Sequence, residues 1–402
     1  MEGHKYQVII IGGGAAGIFA AISAKRLGAG VILCERTSQP GKKILASGNG
    51  RCNLLNERLD SSFYNAPARP LVDSVLARFG KDDIRGFFER LGLKTYSEEG
   101  RIFPATNQSS SVLKILEMEV RRLSIPVELD FEALSVTDSG GGFSVTARSG
   151  KSVWARSVIL ACGGRSYPSF GSDGSAYRLA KHFGHTIIEP VPAAVPLVVK
   201  DPLCHNLQGQ RISAKTKSLI GGKVTGEAAG DILFTKYGLS GTSVIDVSEE
   251  ISIAINRHKR RDVTVSVDMV PFEGEAALAE DLAKRIRASF AAEDLLTGIL
   301  PNKFGSALKL LLKTRNPALI AKTLKDWRFA VLGTKGWNEA DFTAGGIDLN
   351  EVDEKSLESK LKKGLYFAGE ILDVDGKRGG YNLAWAWASG HIAAEEASRC
   401  AK

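Results

Sequence analysis

The most regular apolar pattern in the chain is at its start. Val8 to Ile11 form an unbroken β-branched run, an Ala-rich stretch follows (AAGIFAAISAKRLG), and a second apolar run, VILCE, ends at Glu35. This order predicts strand, helix, strand, with both strands buried on two faces of a parallel sheet. Residues 71–93 and 109–123 carry apolar positions at helical spacing, the second with a Ser-rich start. EALSVTD and FSVTARS alternate on either side of the glycine turn at Gly140 to Gly142, which predicts a hairpin, and VWARSVILACGG returns to a buried strand ending in glycines.

From about Val191 to Thr334 the pattern changes to short strands with turn signals, then to helices from Glu275 to Leu324. ISIAI and VTVSV read as two strands of a hairpin whose tip is Arg257, His258, Lys259, Arg260 and Arg261. LYFAGE, residues 365–370, resumes the buried-strand pattern, and LAWAWASGHIAAEEAS reads as a closing helix. The predicted fold is therefore α/β, with a first segment at 1–190 completed by a second at 343–402. The insertion at 191–342 is β-rich, with a small helical part at about 275–325. PGKKILASGNGRCNLLN, residues 40–56, is too rich in Gly, Asn and Ser to be one helix and reads as a functional loop.

Composition narrows the class without changing the fold. With 402 residues, 44% of them hydrophobic and 24% charged, the chain is long enough for two or three domains and does not read as disordered or fibrous. No run reaches transmembrane length without charges or turn residues, and the apolar start carries a glycine fingerprint, lacks the compact basic flank of a signal peptide and is followed at once by a sheet pattern. Cys34, Cys52, Cys162, Cys204 and Cys400 are odd in number and include no CxxC pair, a pattern that suits a reducing cytoplasm and disfavours metal binding by cysteine. His182, His185 and His205 have no metal-ligand spacing. The net charge is +8, of which residues 191–330 contribute +5 (20 Lys and Arg against 15 Asp and Glu). The 257–261 run is then either a solvated tip or a phosphate-contacting edge.

The chemistry starts at the glycines. In VIIIGGGAAG, Gly12 permits a tight turn, Gly14 lets backbone approach a pyrophosphate, and Gly17 lets helix pack on strand. The N–H groups of the helix starting at Ala15 and Ala16 point at that pyrophosphate. Glu35 is placed to accept from an adenosine ribose and to repel a 2′-phosphate, which favours FAD or NAD over NADP. No second GxGxxG appears, so an NAD(P)H donor would dock transiently at a flavin face.

Three separated segments, VIIIGGGAAG, PGKKILASGNGRCN and GLYFAGEILDVDGKRGGYNLAWAWASG, together with ILACGGRSYPSFGSDGSAYRLAKHFGH and FTKYGLSGTSVIDVS, closely resemble the BaiN/RdsA-like family of bacterial flavoproteins, also called aminoacetone-oxidase-like. The resemblance covers nearly the whole chain. It implies a glutathione-reductase-type, two-segment Rossmann-like FAD domain split by an inserted β-rich domain with a small helical subdomain. It also implies one of three activities: reduction of ring double bonds in small molecules, amine oxidation, or reduction of a uridine to dihydrouridine in large-subunit ribosomal RNA.

By position, the resemblance puts Gly12, Gly14, Gly17, Glu35 and Arg36 on the ADP half of FAD. Lys43 and the loop Ser47, Gly48, Asn49, Gly50, Arg51, Cys52 and Asn53 lie along the pyrophosphate and flavin. The Ala133 backbone falls near the adenine, with Ala161, Cys162, Gly163 and Gly164 beneath it. Gly369, Glu370, Gly379, Gly380, Tyr381, Asn382 and Leu383 belong to the flavin end. Arg51 beside Cys52 is expected to lower the thiol pKa, which would suit Cys52 to protonate a reduced alkene, and simple packing of the loop is the alternative. Tyr381 and Asn382 are candidates to bond the flavin pyrimidine, with helix capping the alternative for Asn382. Asp373 and Asp375 are read as positioning the KRGG turn.

Together these readings make the chain a cytoplasmic oxidoreductase with non-covalent FAD and NAD(P)H as the candidate donor. The substrate is ribosomal RNA or a small molecule, and a non-catalytic FAD-binding assembly factor is the remaining class. They assign no membrane or metal partner and no oligomeric state.

Overall fold

The structure, a computed structural model, describes residues 6–400, with the side chain of Cys400 outside the described residues. The chain divides into two compact units, Met1–Pro190 with Phe342–Lys402, and Val191–Asp341.

The first unit is built on a five-stranded parallel sheet in the order Leu365–Phe367, Ser157–Leu160, Val8–Ile11, Val31–Cys34, Val127–Glu128. Val8–Ile11 lies in the middle and every residue of it is buried, as an apolar run without alternation requires. Its neighbours on the two sides arrive later in the chain by opposite routes, so strand order reverses beside it. At such a switch point the carboxyl ends of the strands leave a crevice for a ligand. Helix Ala15–Arg26 is almost wholly buried and packs closely on the last helix, Tyr381–Cys400, where a side chain on Gly390 would meet the Ala16 carbonyl oxygen at 2.5 Å. The unit also holds two three-stranded antiparallel sheets: Ala133–Ser139, Gly142–Ala147 and Ser152–Ala155 form one, and Leu55–Asn56, Arg101–Pro104 and Thr95–Glu98 the other. The helical pattern over 71–93 is two helices, Arg69–Arg78 and Lys81–Arg90, parted at Gly80, whose N–H is taken by the Asp83 carboxylate.

The second unit is a closed six-stranded barrel in the order Leu197–Val199, Gly238–Ser240, Lys223–Thr235, Arg211–Ile220, Val263–Asp268, Trp327–Thr334. Its core includes Phe234, Leu239, Val265, Val267 and Phe329. The helices Glu275–Arg287, Lys303–Ala307, Lys309–Leu312 and Pro317–Lys325 are inserted between its last two strands.

One predicted element is wrong. ISIAI is not a strand: helix Ser248–Ser252 runs into a single wide turn at Ile253–Arg257. Ile251, Ala254 and Ile255, spaced three and four apart, are the buried positions, and alternation over five apolar residues did not distinguish this helical face from a strand. The basic run therefore follows a helix C-terminus, where cations suit the local dipole, and Arg260 pairs with Asp262.

Candidate active site

The three glycines of the first turn do three different things. Gly12 has φ +106°, and a Cβ there would lie 2.5 Å from the Ala161 carbonyl oxygen. A Cβ on Gly17 would run into the Gly12 carbonyl oxygen. A Cβ on Gly14 would meet nothing within 4 Å: this glycine faces open room at the helix start, where a pyrophosphate needs it. Glu35 follows the second strand and is nearly buried; its Oε2 accepts the Gly13 N–H at 2.6 Å and its Oε1 the Thr37 N–H at 2.8 Å. Each oxygen keeps lone-pair capacity for a hydroxyl, so the acid braces the glycine turn and can still hold a ribose. Arg36 is drawn instead to Asp173 at 2.7 Å and to the Gly171 carbonyl. Burial raises the Asp173 carboxyl, but hydrogen bonds from Ser175 and Arg36 outweigh it and leave the group below the usual range. The Ala133 carbonyl accepts from Arg178 at 3.0 Å.

The loop after Glu35 begins with a short helix, Lys42–Ala46, and then turns through two left-handed residues, Gly48 (φ 57°) and Asn49 (φ 55°). Gly50 and Cys52 are left-handed as well, the latter a conformation uncommon for a side chain with a Cβ. The Arg51 N–H bonds to the Gly48 carbonyl and the Cys52 N–H to the Ser47 carbonyl, which closes the turn on itself. Ser47 Oγ donates to the Ile44 carbonyl at 2.6 Å.

The lowered thiol pKa is overturned. Cys52 is 0% exposed, and burial pushes its thiol up to about 12, only partly opposed by a hydrogen bond with Ser47. The Arg51 guanidinium is spent elsewhere, on Glu98, on Tyr96 Oη at 2.6 Å and on Asn107 at 3.0 Å, with the Phe103 ring beneath it at 4.1 Å. Cys162 Sγ likewise bonds inward to the Ile11 carbonyl, and burial raises its pKa to about 12.

At the other end, Glu370 is the centre of a cluster. It accepts from Lys43 Nζ at 2.5 Å, from Ser166 Oγ at 2.9 Å and from the Thr343 N–H at 2.8 Å, and Lys43 also reaches Ser166. The predicted residues Lys43 and Glu370 thus meet each other. Ser166 and Thr343 were missed; Thr343 Oγ1 also accepts the Arg165 and Ser166 N–H groups, which ties the strand-end glycines Gly163 and Gly164 to the C-terminal segment. Nothing local in SYPSF or FTAGG marks these two residues. The Gly369 N–H donates to Ser389 Oγ at 2.9 Å, and a Cβ at Gly369, whose φ is +76°, would fall 2.8 Å from the Ala16 Cβ.

Asn382 holds the Gly376 backbone with both ends of its amide, at 2.8 and 2.7 Å, and so braces the turn that leads into KRGG. Tyr381 stacks on Phe63 at 4.5 Å, and Leu383 packs on the core. Asn53 Oδ1 is buried with no hydrogen-bond partner, and a Cβ on Gly380 would fall 2.8 Å from it, so an acceptor in want of a donor lies where the two loops meet. Open room at Gly14, spare acceptor capacity on Glu35 and this orphaned acceptor fit a dinucleotide with a polar ring at its far end, as FAD has. No group of three or more His, Cys, Asp or Glu side chains suited to a metal occurs among the described residues. None of their helices is long and apolar enough to cross a membrane.

Strand order, glycine turn, an acid after the second strand and a C-terminal segment returning to the sheet define a Rossmann-type FAD-binding protein. The chain belongs to the HI0933-like protein Rossmann domain family, which matches residues 6–396. Its relatives include the 3-dehydro-bile acid delta(4,6)-reductase of Clostridium scindens, 39% identical over 98% of this chain and 99% of the other. The ribosomal RNA dihydrouridine synthase of Escherichia coli is 30% identical over 98% of each. The 3-ketosteroid delta1-dehydrogenase from Sterolibacterium denitrificans shares the fold, with TM-score 0.52 at 13% identity over 98% of this chain and 99% of that one. A flavocytochrome c3 fumarate reductase does so with TM-score 0.50 at 16% identity, covering 99% and 79%. The BaiN/RdsA-like resemblance is thus borne out, and the protein is an FAD-dependent oxidoreductase.

Proposed function

We propose that the protein reduces a carbon–carbon double bond conjugated to a carbonyl within a ring, with NAD(P)H as the electron donor. One observation carries this reading: two full-length relatives are named for ring reductions on chemically unlike molecules, a bile acid and a uridine. What these substrates share is a ring alkene next to a carbonyl, to which a hydride adds at one carbon and a proton at the other, while NAD(P)H becomes NAD(P)⁺. FAD, when bound, supplies the hydride. The protein's residues do the rest. Glu35 and the Gly12–Gly17 turn hold the ADP half, the Lys43–Glu370–Ser166 cluster fixes the strand ends, and Asn53 offers its acceptor at the far end. We assign Cys52 to packing the loop, because its thiol reaches no surface.

A small cyclic enone is the first substrate reading, supported by the higher identity to the bile acid enzyme. Ribosomal RNA is the second, favoured by the +5 excess over residues 191–330. The test is anaerobic: reduce the flavin with NADH or NADPH, then follow its re-oxidation by a 3-oxo-4-ene bile acid and by large-subunit ribosomal RNA transcripts. Rapid re-oxidation by the enone with saturated product is the expected result. Re-oxidation by RNA alone, with dihydrouridine lost from cells lacking the gene, transfers the reading to RNA, and a flavin inert to both nucleotides sinks the donor.

A further inference from the structure

Many basic side chains of the FAD unit are paired: Arg26 with Glu119, Arg36 with Asp173, Arg51 with Glu98, Arg78 with Glu395 and Glu396. Arg58, Arg101 and Lys377 differ. All three are exposed, and none has an acidic partner at ion-pair distance among the described residues. They are far apart in sequence and are brought together by backbone. Asn56 stands opposite Arg101 in the strand ladder, its Oδ1 accepts the Arg58 N–H at 3.0 Å, and its Nδ2 donates to the Gly379 carbonyl at 2.9 Å. The Lys377 N–H donates to the Phe63 carbonyl at 2.9 Å, next to the bridge between Tyr64 and Gly376.

Between these segments lies the Phe63–Tyr381 stack, 4.5 Å between centroids and 11° from parallel, with the Arg58 guanidinium 5.6 Å from the Phe63 ring. Burial raises the Tyr381 phenol, while the charges of Arg58 and Arg101 pull the other way. Two acids lie near these arginines: Asp60, whose charge also raises Tyr381 and whose carboxylate is taken up by the Ser62 N–H at 2.9 Å and by the Ser62 hydroxyl, and Glu98, opposite Arg101 in the strand ladder, whose carboxylate is paired with Arg51. Exposed cations on neighbouring segments, none of them in an ion pair among the described residues, can each offer an anion a charge-assisted hydrogen bond.

We propose that Arg58, Arg101 and Lys377 form an anion site beside the Phe63–Tyr381 stack, which seats the phosphate or carboxylate of a molecule that exchanges electrons with the flavin. That the ligand is a redox partner rests on the reductase reading; the anion site does not.

The probe is inorganic pyrophosphate, titrated calorimetrically into the FAD-loaded protein at two salt concentrations. Wild type should bind it in a salt-sensitive manner. The triple variant Arg58→Gln, Arg101→Gln, Lys377→Gln should bind at least ~10-fold more weakly with unchanged FAD content, and Arg101→Lys should keep most of the affinity. No binding by wild type, or equal binding by the triple variant, overturns the site. Two further arms identify the ligand. Competition of pyrophosphate with NADPH in flavin reduction assigns the site to the donor's phosphates. A variant defect in re-oxidation by a 3-oxo-4-ene bile acid, but not by its methyl ester, assigns it to the acceptor's carboxylate. Pyrophosphate binding without effect in either arm overturns the redox-partner assignment. If wild-type flavin accepts no electrons from either nucleotide, the donor reading fails while the titration still decides the anion site.

Discussion

Gly14 and Gly17 are the same residue put to opposite uses, and alanine at each should separate them. Gly14 sits at φ −78° and ψ −169°, open to any residue, with nothing near its missing Cβ. Gly14→Ala should therefore leave the melting of the FAD-free protein almost unchanged while FAD occupancy, read from flavin absorbance, collapses. Gly17→Ala forces a methyl into the Gly12 carbonyl and should destabilise the FAD-free protein by about 1–3 kcal/mol, measured by urea unfolding. Glu35→Ala should weaken FAD retention and also lower FAD-free stability by about 1–3 kcal/mol, because it strands the buried Gly13 N–H. A variant that loses FAD at full stability would leave Glu35 only its ribose role. The glycines were legible because their constraint is local. The bracing by Glu35 was not, since its partner lies across the turn, and the state of Cys52 was not, since the sequence neighbour Arg51 turns toward Glu98.

Among the elements, the two long helices meet around a histidine. His391 Nδ1 lies 3.1 Å from Ser23 Oγ, and its ring stacks on Phe79 at 4.0 Å. Desolvation lowers its pKa, against the pull of Glu395 and Asp83. His185, between Glu351 at 3.1 Å and Ser359 Oγ at 2.7 Å, is lowered by burial as well. Both take up protons less readily in the folded chain than in the unfolded one, where a histidine titrates near pH ~6.5. Folding stability linked to them is therefore complete above that pH and is lost as pH falls below it. The urea midpoint should drop between about pH 6.5 and 5, before the depressed carboxylates titrate, and His391→Phe should flatten part of that slope. An unchanged slope in both His391→Phe and His185→Gln would remove the histidines as its source. Long elements such as the closing helix were legible from periodicity, whereas ISIAI was too short for its period to be read and was decided by packing.

At the scale of the molecule, the return of the chain to its first sheet was legible because LYFAGE repeats the buried-strand pattern after a long change of texture. Closure of the barrel was not, since it depends on Trp327–Thr334 pairing with Leu197–Val199 across the whole insertion. Val191–Asp341 is continuous and has its own apolar core, so this segment expressed alone should give a cooperative thermal transition by circular dichroism; a featureless melt would mean that it depends on the rest. The FAD unit has no such independence in time. Its sheet places Leu365–Phe367 beside Ser157–Leu160, and its last helix against the first glycine turn. During synthesis the inserted barrel can finish while its host is still missing a strand, and the nucleotide crevice is completed only when Leu365–Phe367 and Tyr381–Cys400 have been made. Flavin is then acquired late, so a yellow protein is one that has made its last helix, and chains broken off before that helix should be colourless whatever else of them has folded.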